Sequence, residues 1–76
     1  MLKFFTDARV GTDYAMNTVV LKCRTGMAQA VCASLDSMNY PDIVGTLAGD
    51  DTIFILMRSE NDARAFSKKL AKELEL

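Results

Sequence analysis

Ile53-Phe54-Ile55-Leu56-Met57 is the longest unbroken apolar run in the chain, and it limits the fold more than any other feature. It falls far short of the roughly 18 apolar residues that a membrane-spanning helix needs. Bounded by Gly49-Asp50-Asp51 before it and Ser59 after it, and rich in β-formers, it reads as a strand. An antiparallel sheet with helices on one face alternates apolar and polar residues along each strand. This strand does not alternate, and Val19-Val20-Leu21 repeats the pattern on a smaller scale. Both faces of the central strands therefore ask for cover. A chain of 76 residues has little to spare for it, since the core of so small a domain stabilises by only about 3–5 kcal/mol. Self-association answers both demands; the alternative is that helix ends and loops wrap the second face.

The length also fixes the organisation: one domain over residues 1–76, too short for two cores. Nine Lys plus Arg against ten Asp plus Glu give a net charge of -1. That balance argues against nucleic-acid binding by this chain alone, because phosphate affinity comes from clustered positive charge. The chain has no His, which excludes Ser-His-Asp and Cys-His catalysis and every His metal site. Cys23 and Cys32 form no Cys-x-x-Cys pair. Nothing at the N-terminus reads as a signal peptide, so they are expected to be reduced, buried thiols in a cytoplasmic protein, acting as small core hydrophobes.

Along the chain, Met1 to Phe5 reads as the frayed end of something longer. Ala8 to Asp13 is a weak strand candidate, with Tyr14-Ala15-Met16 as the turn that follows. Thr18 to Cys23 reads clearly as a strand. Thr25 is the candidate N-cap of a helix over Met27–Met38, in which Met27, Val31, Leu35 and Met38 recur at helical spacing. Pro41 stops it. Ile43–Ala48 and Thr52–Arg58 form a hairpin around Gly49-Asp50-Asp51. Ser59 caps a last helix, with Glu60 and Asp62 in its first turn, Lys68, Lys69 and Lys72 towards its end, and an apolar stripe of Ala63, Phe66, Leu70 and Leu74. The predicted fold class is an α/β (α+β) two-layer sandwich: a four-stranded antiparallel sheet with two helices on one face, in the order β-β-α-β-β-α.

Two polar features stand outside the core pattern. Asp50 and Asp51 sit side by side at a hairpin tip. They read either as ordinary turn residues or as a site for a guanidinium, an ammonium or a metal ion. A Gly-Asp-Asp tip also holds two metal ions in nucleic-acid polymerases, but this chain has no room for a template channel or a nucleotide pocket. A small metal-dependent enzyme built on the paired Asp also lacks a nucleophile, a His and a substrate-sized cleft. Gln29 and Asp36 are seven positions apart, which places them about 20° apart around a helix. Cys32 and Ala33, both small, lie between them. The pair reads as a solvated helix face or as a place where a ligand or another backbone comes close.

Taken together, Thr18-Val-Val-Leu-Lys-Cys, Gly26-Met-Ala-Gln29, Leu35-Asp36-Ser-Met and Ile43-Val-Gly-Thr-Leu-Ala-Gly-Asp-Asp-Thr52-Ile-Phe-Ile form an ordered series. It closely resembles the C-terminal domain of the bacterial arginine repressor, from about Asn17 to the final helix. The Ile43–Ile55 stretch is its most specific part. The resemblance implies a DCoH-like fold in the element order read above. It also implies a non-enzymatic oligomerisation domain that makes trimers and stacks two of them into a hexamer. L-arginine would act as co-repressor between the trimers, with no other cofactor and no metal. Ligand contacts carry over onto Gln29, Asp36, Asp50 and Asp51, with main-chain contacts near Ala28 and Ala48. The protein implied is a cytoplasmic regulator of arginine biosynthesis and metabolism genes, reaching operator DNA through a separate winged-helix domain absent from this chain.

A fragment is therefore expected, although the residues also allow a free-standing protein. Thr25-Gly26 stands where many relatives have Pro-Gly, and Met27 replaces a smaller residue beside the expected pocket. The competing expectation is a structural oligomerisation module that does not sense arginine.

Overall fold

The computed structural model describes residues 11–73. Six elements follow in the expected order: β1 (Gly11–Ala15), β2 (Thr18–Lys22), α1 (Ala28–Ser37), β3 (Ile43–Ala48), β4 (Thr52–Met57) and α2 (Glu60–Glu73). The strands form one antiparallel sheet in the order β1-β2-β4-β3. The two central strands are thus the two apolar ones. Their pairing sets Val19 opposite Ile55 and Leu21 opposite Ile53, and all four side chains are fully buried. Both helices pack on this face, α2 mainly over β1 and β2 and α1 against β3 and β4. Val31, Cys32 and Leu35 of α1 join Ala63, Phe66 and Leu70 of α2 in a single core cluster.

Among the described residues the opposite face is open. Val20 pairs with Phe54, Thr18 with Leu56 and Leu47 with Phe54, so these side chains gather on the side away from the helices. Leu47 is 73% exposed and Phe54 52%. Among the described residues neither helix end nor loop wraps this surface, and the apolar residues at every position of β4 after Thr52 have two fates. Ile53, Ile55 and Met57 fill the core, while Phe54 and Leu56 face outward.

Two local expectations are corrected. Tyr14 and Ala15 belong to β1, and the chain turns instead at Met16-Asn17, between the paired Ala15 and Thr18. Met16 takes φ 53 there, a left-handed conformation that a non-glycine sequence does not advertise. Ala8 to Val10 of the candidate strand, and Leu74 of the apolar stripe, lie outside the described residues. Thr25 does not cap α1: the N-cap is Met27, with no side-chain cap hydrogen bond. Ser59 does cap α2, its Oγ accepting from the Asp62 N–H at 3.1 Å. Among the described residues no helix is long and apolar enough to cross a membrane.

Candidate functional site

Alternation along β3 selects which side chains meet α1. Thr46 and Ala48 share the face on which the helices pack, opposite Ile55 and Ile53, whereas Leu47 points to the open face. On α1 the seven-residue spacing brings Gln29 and Asp36 onto the same side, and they meet β3 at two points. Gln29 Nε2 donates to the Ala48 carbonyl at 3.1 Å. Asp36 Oδ1 accepts from the Thr46 hydroxyl at 2.9 Å. Between them Cys32 Sγ lies 3.1 Å from the same hydroxyl oxygen and donates to it. Gln29 and Asp36 themselves are exposed, so the polar line borders the core without being sealed in it.

The β3–β4 turn closes the end of this line where α1 begins. Its main chain, not a side chain, anchors the start of the helix. The Asp50 carbonyl accepts from Gly26 N–H at 3.0 Å and from Ala28 N–H at 3.4 Å, and the Asp51 carbonyl accepts from Cys23 N–H at 2.6 Å. A free helix N-terminus has four unpaired N–H groups, and here a carbonyl distant in sequence takes one of them. Gly26, at φ 81, supplies the left-handed residue that lets the chain bend into this contact. Gly49 N–H donates to the Thr52 carbonyl at 2.8 Å, which holds the turn itself.

With the carbonyls engaged in this way, the Asp50 and Asp51 carboxylates remain as the chemistry of the turn. Asp50 is exposed and Asp51 half-buried. Asp51 Oδ1 accepts from the Thr52 hydroxyl at 2.9 Å, and Lys22 Nζ donates to that same hydroxyl oxygen at 3.0 Å. The expected residues thus fall along one seam made by α1, β3 and the β3–β4 turn. Gln29 meets Ala48, Asp36 lies further along, and Asp50 contacts Ala28 through its backbone. The seam holds the Asp36 carboxylate, the Gln29 amide and main-chain carbonyls, and the turn at its end adds the Asp50 and Asp51 carboxylates, a set suited to a cationic, hydrogen-bonding ligand. Among the described residues no group of three or more His, Cys, Asp or Glu is placed to hold a metal ion.

The family model described as "Arginine repressor, C-terminal domain" matches residues 5–72. The chain belongs to the arginine repressor C-terminal domain family. Among curated relatives, it is 50% identical over 72 residues to the arginine repressor of Acetivibrio thermocellus, covering 95% of this chain and 47% of that protein. It is 48% identical over 62 residues to the arginine repressor of Alkaliphilus oremlandii, covering 82% of this chain and 42% of that one. With the arginine repressor of Ruminiclostridium cellulolyticum it shares 40% identity over 75 residues, 99% of this chain and 50% of the relative. The chain spans about half the length of the curated relatives it matches.

Within this family frame, sequence reasoning missed one residue of the seam. Thr46 touches both Cys32 and Asp36, yet a Thr in a strand is explained well enough by β-propensity. The available signal was positional: Thr46 stands two residues before Ala48 and so shares its face. Met27, expected beside the pocket, is half-buried and packs against the core cluster. Both cysteines are free and buried. Burial pushes the Cys23 thiol above its ordinary value of 9.0, and the neighbouring Asp51 and Cys32 push it the same way, which makes it a poor nucleophile.

Proposed function

We propose that this is the L-arginine-binding and hexamerisation domain of a transcriptional regulator of arginine metabolism genes, with no catalytic role. The observation that carries the reading is the seam. Gln29, Asp36 and the Asp50-Asp51 turn lie along one boundary between α1 and β3, in a domain whose relatives are arginine repressors. Arginine has a planar guanidinium at one end and an α-ammonium and a carboxylate at the other. A carboxylate binds a guanidinium through two parallel hydrogen bonds, and Asp50, the exposed tip, takes that end from the facing trimer. Asp36 and Asp51 hold the α-ammonium. Gln29, which spends one amide hydrogen on Ala48, holds the ligand carboxylate with its other and with main-chain amides near Ala28.

Assembly follows from the same surfaces. The open face of Val20, Leu47, Phe54 and Leu56 supplies apolar area of the kind that self-association covers. Acidic turns from two trimers repel when they meet empty, and a cationic ligand between them removes that repulsion. Ligand binding and hexamer formation are then one linked equilibrium with reciprocal coupling. Operator DNA is reached through a separate DNA-binding domain, consistent with the net charge of -1 on this chain, and the regulator acts in the cytoplasm.

Titration calorimetry with L-arginine tests the site. Asp50→Asn is expected to weaken binding about 10- to 100-fold, because a hydrogen bond to a charged group is worth ~1.5–3 kcal/mol, while the trimer stays folded. Unchanged affinity in that variant would remove Asp50 from the site. A wild-type chain that ignores arginine would instead leave a purely structural assembly module.

A further inference from the structure

One hydrogen-bonding device occurs twice in the molecule, once at the β3–β4 turn and once in the seam. Asp51 Oδ1 accepts from Thr52, whose hydroxyl oxygen is filled from behind by Lys22 Nζ. Asp36 Oδ1 accepts from Thr46, whose hydroxyl oxygen is filled from behind by Cys32 Sγ. A hydroxyl has one proton and two lone pairs. A donor behind it therefore makes it point that proton forward, and an ionised carboxylate in front can only accept. Lys22 does this with a charge on the open face of the sheet, where it pairs with Thr52. Cys32 does it with a side chain that is 8% exposed, on the helix that carries Asp36.

We infer that Cys32 is a positioning residue: its thiol fixes the polarity of the Thr46 hydroxyl and so locks the Asp36 carboxylate in one orientation. The link to arginine rests on the reading of Asp36 as a ligand carboxylate; the orientation itself does not. Cys32 sits one turn of α1 from both Gln29 and Asp36, with its hydrogen bond directed out of the core at β3. A residue that merely filled core volume would have no need of that bond. Ala in its place would leave Thr46 free to rotate, and Ser would restore a donor.

Two readouts on the whole chain test this. Three-bond NMR couplings report the Asp36 χ1 rotamer without any ligand, and calorimetry reports L-arginine affinity. Cys32→Ala is expected to spread Asp36 over more than one rotamer and to weaken arginine about 3- to 10-fold, the range of one net hydrogen bond. Cys32→Ser is expected to restore the single rotamer and bring affinity to within about 2-fold of wild type. In a Thr46→Val background, Cys32→Ala should change neither readout further. An Asp36 rotamer equally fixed, or equally averaged, in wild type and Cys32→Ala would overturn the inference. So would a Cys32→Ser variant as defective as Cys32→Ala. If wild type shows the rotamer response but no arginine binding, the positioning role stands and the ligand reading fails.

Discussion

The two halves of the molecule repeat one plan, a hairpin followed by a helix, but they start their helices differently. α2 carries its own instructions: Ser59 caps it, Glu60 and Asp62 stand in its first turn, and Lys72 in its last. Each is placed where the helix dipole favours it. α1 is shorter and has none of these: no side-chain cap, no acid in its first turn and no base in its last. Its entry is held by the Asp50 carbonyl, a group in the turn whose carboxylates are the proposed ligand groups. The helix that frames the structure is self-sufficient, whereas the helix that bears Gln29 and Asp36 depends on the turn it works with. If the turn takes the ligand as proposed, occupying it should also steady α1.

Substitutions of graded severity can break or sharpen this contrast. The largest effect is expected from Phe66→Ala, which removes a buried α2 side chain and its edge-on contact with Tyr40 at 5.0 Å between ring centres. It should cost about 3–5 kcal/mol in chemical denaturation. Gly26→Ala should cost about 1–2 kcal/mol, since φ 81 is the obstacle while nothing lies within 4 Å of the added Cβ. If α1 depends on this bend, the same variant also weakens arginine binding; an affinity left unchanged would uncouple the helix entry from the site.

Capping separates the halves more finely. Ser59→Ala is expected to lower stability by ~1 kcal/mol, and Thr25→Ala by less than about 0.5 kcal/mol, the range of a surface change away from special features. Equal losses in thermal melts would end the contrast. The smallest effect concerns pH. The Cys23 thiol is raised above 9.0 by burial, Asp51 and Cys32, so the unfolded chain loses this proton before the folded one does. Its stabilising contribution is complete below the unfolded value and is lost as pH rises through the folded one. A Cys23→Ala variant should therefore show a shallower fall in melting temperature above about pH 9 than wild type.

Legibility in the sequence followed the same division. α2 is readable from its Ser59 cap through Ala63, Phe66 and Leu70 because its signals are local, and β2 and β4 because runs such as Ile53–Met57 leave no other reading. The start of α1 was misplaced onto Thr25 because its anchor, the Asp50 carbonyl, is distant in sequence and every residue has a carbonyl. The Met16-Asn17 turn was hidden for a related reason, since Met16 at φ 53 carries no turn signature. Of the proposed site, Gln29, Asp36, Asp50 and Asp51 stand out in the sequence as polar residues at odds with the core pattern. Thr46 was not, because its role exists only once β3 is laid beside α1.

Whether arginine binding and assembly are one equilibrium, as proposed, is read from the mass in solution by sedimentation with and without millimolar L-arginine. A trimer, or a trimer–hexamer mixture, is expected to move to hexamer when arginine is added. An oligomer indifferent to arginine would contradict the coupling and leave assembly alone. A monomer under both conditions would contradict the reading of the open sheet face as well.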